Sequence, residues 1–233
     1  MIDLKDRNAL VTGSSRGVGQ QIVLGLAKLG CNIIVHGRTV ESCDATLNLL
    51  ETYNVKTYVV HGELSQEESV KDLIAQVNAL HVSIDILYNN AAIMMPFHEN
   101  IWEHSWEEWM TTFKVNVMAM HSLCGAFIPG MISRGFGRVI NMSSGIKGLP
   151  ELAPYSASKS AVDKLTADIA VKLSGTGVRI NALDPGWLKT DMGGENAEHP
   201  VEAVLPGAMA PALVEDDGTN GQLFSAINHD LKL

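Results

Sequence analysis

A chain of 233 residues with 46% hydrophobic and 18% charged residues suits one large α/β domain with a well-buried core. Its formal net charge of −9 argues against nucleic acid or an anionic membrane as a long-range partner, yet leaves room for a local basic pocket. The three cysteines, Cys31, Cys43 and Cys124, lack metal-ligand spacing and read as reduced, buried thiols of a cytoplasmic protein.

Met1 to Arg7 is too charged for a signal peptide, and no uninterrupted apolar run approaches membrane-spanning length. Ala9 to Val11 reads as strand one and stops at Thr12-Gly13. Val18 to Leu29 has apolar residues at helical spacing and ends at Gly30. Asn32 to Val35 is strand two, Ser42 to Tyr53 a helix, and Lys56 to His61 strand three. Gln66 to Leu80 is a helix with Glu67 and Glu68 at its positive end. Ile84 to Tyr88 is strand four. Trp106 to Ile132 is a long helical stretch, with interruptions expected at Gly125 and Pro129-Gly130. Gly137 to Met142 is strand five, Tyr155 to Leu173 a helix, Val178 to Leu183 strand six, and Gln222 to Ile227 the last strand. The irregular region 186–217 holds a short helical piece at Val201 to Leu205 and reads as a substrate loop. Strand–helix alternation calls for right-handed crossovers and a parallel sheet with helices on both faces. Nothing divides residues 1–233 into separate domains.

Gly13, Gly17 and Gly19 follow strand one in a G-x-x-x-G-x-G spacing. Such glycines let the backbone approach a pyrophosphate while the next helix offers unpaired N–H groups. A ligand-free strand-to-helix turn has the same glycines, and methyltransferases also place glycines there. After strand two comes Val35-His36-Gly37-Arg38-Thr39, with no acid to hold a ribose 2′-OH. Arg38, and Arg16 in the turn, are suited to a 2′-phosphate instead. Tyr155 and Lys159 lie at i and i+4 on one helix face, where an ammonium can lower the pKa of a phenol.

The T-G-x-x-x-G-x-G turn, Asn89-Asn90-Ala91, Ser144, Tyr155-x-x-x-Lys159 and Pro185-Gly186 occur in the order found in short-chain dehydrogenases/reductases. The sequence resembles that family from about Leu4 to Leu223, with the broad features of its 3-oxoacyl reductases. The resemblance implies a single Rossmann-like domain with a parallel seven-stranded sheet, and NADP(H) as cofactor. It implies a hydride transfer between nicotinamide and a carbonyl or alcohol carbon. Tyr155 is then general acid/base, Lys159 lowers its pKa and holds ribose, Ser144 stabilises the substrate oxygen, and Asn116 relays protons. The implied cofactor contacts are Gly13, Ser15, Arg16, Gly17, Val18, Gly19, Arg38, Glu63, Leu64, Asn90, Ala91, Tyr155, Lys159, Pro185, Gly186, Trp187, Leu188 and Thr190, with no metal. Glu63, where the family usually has Asp, and Ala92, where it usually has Gly, depart from the pattern. Homodimers or homotetramers through the helices from Trp106 and Tyr155 are implied as well. A cofactor-binding sensor or scaffold without turnover is the competing reading.

Overall fold

The computed structural model describes residues 1–146, 148–229 and 231. Its strands are β1 (Asn8–Val11), β2 (Asn32–Gly37), β3 (Thr57–His61), β4 (Ile86–Asn89), β5 (Gly137–Met142), β6 (Val178–Asp184) and β7 (Leu223–Ser225). They form one seven-stranded sheet in the order β3-β2-β1-β4-β5-β6-β7, with every pairing parallel. The helices are α1 (Gly17–Lys28), α2 (Asp44–Leu50), α3 (Glu67–Ala79), α4 (Trp106–Phe113), α5 (Met120–Arg134) and α6 (Ala153–Lys172).

Central strands such as β2 (Asn-Ile-Ile-Val-His-Gly) and β5 are buried nearly throughout, as a sheet covered on both faces requires. Because strand side chains alternate, β1 sends Ala9 and Val11 to one face and Leu10 to the other. The first face packs on Ile22, Val23 and Leu26 of α1. The second packs on Leu73 and Val77 of α3, Leu123 and Phe127 of α5 and Val162 of α6. Each of these buried aliphatic side chains contributes about 1.5–3 kcal/mol.

The sheet runs outward in both directions from β1 and β4. The crevice of such a sheet lies beyond the carboxyl ends of the strands at this reversal. Residues just after β1, β2, β4, β5 and β6 are therefore brought together by topology.

Three expectations are corrected. No break occurs at Gly125 or Pro129-Gly130: Pro129 lies inside α5, which runs unbroken to Arg134, and Gly125 is exposed with open space beside it. The irregularity falls earlier, in a π turn over Lys114–Ala119 between α4 and α5. The helical run Trp106–Arg134 also has the length and apolarity to cross a membrane, although half of its most apolar window is buried in the fold. Finally, 186–217 is not one open loop, because a buried segment interrupts it. Residues 207–213 are buried, and the Tyr88 hydroxyl donates to the Ala208 carbonyl at 2.8 Å. Ala208, Met209, Ala212 and Leu213 pack into the same core face as Ala9, Val11 and α1.

Candidate active site

β1 delivers Thr12 and Gly13 to the crevice. Gly13 and Gly17 have φ of +62° and +59°, left-handed values that strain any residue with a Cβ. Gly19 is required for a different reason: a Cβ there would lie 2.4 Å from the Gly13 carbonyl oxygen. α1 thus begins directly after the turn. No side chain caps its N-terminus, and its first turn holds no acid. Its leading N–H groups and positive dipole end are left for an anion to satisfy, which fits a diphosphate.

The turn is braced on several sides. His36 Nδ1 accepts the Gly13 N–H at 3.0 Å, while Nε2 lies 3.2 Å from the Gly62 carbonyl. These partners fix a neutral ring protonated on Nε2, and burial pulls the pKa of His36 down to about 4. The Thr46 hydroxyl lies 3.0 Å from the carbonyls of both Ser14 and Ser15. Asn90 Nδ2 donates to the carbonyls of Thr12 and Gly13 at 2.8 and 3.1 Å. Thr12 Oγ1 accepts the N–H groups of Asn90 and Ala91, both at 3.0 Å.

Arg38 is exposed just beyond β2, with no side-chain partner among the described residues. Arg16 Nε pairs with Asp191 Oδ2 at 2.6 Å, between two exposed side chains. Glu63 Oε1 accepts the Ser65 N–H at 3.0 Å, so this carboxylate closes its own turn, and Leu64 beside it is buried. The side chain of Thr190 sits over Gly17, whose Cβ position would be 3.6 Å from Thr190 Cγ2. Its Oγ1 accepts the Gly193 N–H at 3.1 Å. Gly186, with φ +82°, turns the chain out of β6 against Ile227. Leu188 is buried and bridges to His199, whereas Trp187 and Met192 are exposed, and Met94 and Met95 half-buried.

The candidate acid–base group forms beyond β5 and on the first turns of α6. Lys159 is buried, and its Nζ donates to the Met142 carbonyl at 2.7 Å. It lies 5.4 Å from the centroid of the Tyr155 ring. Loss of hydration pulls Lys159 down to about 8, against the attraction of Asp163. Tyr155 behaves contrary to expectation. Burial is the largest influence and raises its pKa, the Ser144 hydroxyl lowers it, and the Asp184 charge raises it again. The Lys159 ammonium itself is bonded to the Met142 carbonyl. Asn116 occupies the π turn. Its Oδ1 accepts the Ile93 N–H at 2.8 Å, and its Nδ2 donates to Ile93 O and Ser158 Oγ at 2.9 Å each. Ser158 Oγ donates in turn to the Tyr155 carbonyl at 2.7 Å.

The profile of the short chain dehydrogenase family matches residues 7–200. The chain belongs to this family. Gluconate 5-dehydrogenase of Gluconobacter oxydans is 34% identical over 194 residues, covering 82% of this chain and 75% of the relative. Dehydrogenase/reductase SDR family member 4 of Sus scrofa is 35% identical, covering 81% and 68%. Among solved structures, a gluconate 5-dehydrogenase from Burkholderia cenocepacia in complex with NADP and tartrate superposes with a TM-score of 0.82. That protein is 26% identical, and the match covers 95% of this chain and 94% of its own. A 3-oxoacyl (acyl-carrier-protein) reductase from Agrobacterium tumefaciens with NADP bound gives 0.83 at 26% identity, covering 95% and 93%.

As a short-chain dehydrogenase, the chain gathers Gly13, Gly17, Gly19, Asn90 and Thr190 around one turn, and Ser144, Tyr155 and Lys159 around another point of the same crevice. Sequence reasoning missed His36, Thr46 and Asp184. His36 and Thr46 act through the folded turn, and no spacing in the sequence marks them. Asp184 had a signal: an acid beside Pro185-Gly186, at the end of the strand next to the one carrying Ser144. Its Oδ1 accepts the Gly186 N–H at 3.0 Å, and its Oδ2 would lie 2.5 Å from a Cβ on Gly145.

Proposed function

We propose that this short-chain dehydrogenase reduces carbonyl compounds with NADPH. The observation that carries the reading is the convergence, at the carboxyl ends of β1, β5 and β6, of an uncapped, acid-free helix start with a half-buried Tyr155 and a buried Lys159. The cofactor would rest its diphosphate on the turn from Gly13 to Gly19, with Ser15 and Val18. Its 2′-phosphate would meet Arg38, its adenine side Glu63 and Leu64, and its nicotinamide side Asn90, Ala91 and the stretch Pro185 to Leu188 with Thr190. NADPH supplies the hydride when bound. NADP is the nucleotide held by the relatives just described, and no acid follows β2 to oppose a 2′-phosphate.

The protein's own groups handle the proton. Burial holds Tyr155 as a neutral phenol at physiological pH, the form that donates to a carbonyl oxygen as it gains charge. The Ser144 hydroxyl supplies a second hydrogen bond to that oxygen. Lys159, near pKa 8, gives up a proton more readily than an exposed lysine and can reprotonate the phenol. Asn116 is a positioning residue, holding the segment after β4 against Ser158 and the start of α6. The exposed apolar residues Met118, Ile132 and Val171 support a homo-oligomer joined along α5 and α6. The three buried thiols are free and support a cytoplasmic setting.

Arg38→Asp tests the cofactor assignment. It should shift the ratio of kcat/KM for NADPH over NADH by at least about 10-fold toward NADH, since a charge-assisted phosphate contact is worth roughly 1.5–3 kcal/mol. A ratio unmoved by this variant, measured by nicotinamide absorbance with a panel of ketones and aldehydes, contradicts it.

A further inference from the structure

We propose that His98, His104 and Glu108 form a binding site for one divalent transition-metal ion of the zinc class. The three residues lie outside the acid–base group, on the segment after β4 and the first turn of α4. Their potential ligand atoms all lie within 4.8 Å of one another. His98 Nε2 and Glu108 Oε1 are 2.9 Å apart, close to the separation of two donors on one ion.

His104 supplies an independent observation. It is only 9% exposed, and its Nδ1 has no hydrogen-bond partner. Its Nε2 lies 3.0 Å from the Glu151 carbonyl, which only accepts, so Nε2 carries the proton and Nδ1 presents a bare lone pair. A buried acceptor without a donor is rare. An imidazole whose other nitrogen donates to a backbone carbonyl is the usual arrangement behind a metal-ligating histidine. Glu108 is held in the same way. Its Oε2 accepts the Ser105 N–H at 2.6 Å in the capping box of α4, leaving Oε1 toward His98. The His98 and His104 rings meet edge to face, with centroids 4.6 Å apart.

Two imidazoles and one carboxylate select zinc, nickel or copper over magnesium or calcium, which take oxygen ligands. When the ion enters, the His98 proton moves by solvent exchange from Nε2 to Nδ1. The His98–Glu108 hydrogen bond is then replaced by two bonds to metal, and the fourth position remains open to water. The site has a structural consequence. Glu151 O also accepts the His98 N–H at 3.3 Å, and it lies four residues before Tyr155. A bound ion therefore ties the segment after β4 to the segment that leads into α6.

The full chain, stripped with chelator, is dialysed against graded free Zn²⁺ and analysed for bound metal. Saturable uptake of one zinc per chain is expected, undisturbed by excess Mg²⁺ and weakened by at least about 10-fold in both His98→Gln and Glu108→Gln. His98 and Glu108 are partly exposed, and unchanged circular dichroism of these variants shows that the fold persists. Hydrogen exchange in residues 93–105 and 149–153 should slow on zinc addition in the parent chain but not in His98→Gln. Absence of saturable uptake, or uptake that both variants leave unchanged, overturns the site; unaltered exchange at saturating zinc overturns the tie. None of these readouts uses turnover, so they stand apart from the proposed reaction.

Discussion

Asp184 places a negative charge on the same crevice as the Tyr155 phenol, the proposed proton donor. The side chain is fixed by the Gly186 N–H and directed toward Gly145, beside Ser144. The charge raises the pKa of Tyr155 because it opposes formation of a second anion nearby. Asp184→Asn retains the oxygen that accepts from Gly186 and removes the charge. The phenol should then ionise at lower pH, and the alkaline limb of the pH–rate profile for carbonyl reduction should move down. A limb that stays in place would show that Asp184 does not act on Tyr155. Residue chemistry of this kind was partly legible in the sequence. The i, i+4 spacing placed Tyr155 and Lys159 on one face of α6, but the spacing holds no information on where the ammonium is spent. The Met142 carbonyl that takes the ammonium's hydrogen bond is contributed by β5, remote in sequence from Lys159.

Besides the bonds between Ser14 and the His36 backbone, β2 is tied to the glycine turn by one buried imidazole. His36 must stay neutral to accept the Gly13 N–H, and its pKa falls from about 6.5 to about 4 on folding. Above pH ~6.5 the ring is neutral whether folded or unfolded, and it adds no pH dependence. As pH falls from about 6.5 toward 4, the unfolded chain takes up a proton that the folded chain refuses, so stability is lost. Below about 4 both states are protonated and this loss levels off. The full loss is of order 3 kcal/mol. Urea unfolding at stepped pH should show a decline in that window that is largely missing in His36→Gln. Equal declines in both proteins would remove His36 as the cause. The strands and helices themselves were readable, because buried strands are short apolar runs and the helices are longer and periodic. The π turn at Lys114–Ala119 was not, since it is anchored by Asn116 to Ile93 and Ser158, both remote in sequence. Pro129 and Gly125 misled for the opposite reason: both lie on the exposed side of α5, where a missing bond or side chain is tolerated.

At the scale of the molecule, strand order does most of the work of bringing the site together. The reversal between β1 and β4 places the turn after β1, the Asn89-Asn90 end of β4 and Ser144 after β5 on one rim. Strand–helix alternation was enough to predict the parallel sheet, and the family's motif order gave the rim its residues. The region 186–217 was legible only in part. Residues 187–199 fold over the turn through the Arg16–Asp191 pair and the Leu188–His199 bridge, whereas 207–213 descend into the core. The first stretch carries Lys189, Asp191, Glu195 and Glu198 and the second is uncharged, but no helical or strand period marks where the second packs.

The proton donor is the point on which the functional account turns, and Tyr155→Phe addresses it most directly. NADPH binding by fluorescence titration should be nearly unchanged in this variant. The kcat for NADPH-dependent reduction of whichever ketone or aldehyde the parent chain turns over should fall by about 10²–10⁴-fold. A Tyr155→Phe protein that binds NADPH and reduces the same compound at the parent rate would contradict the account.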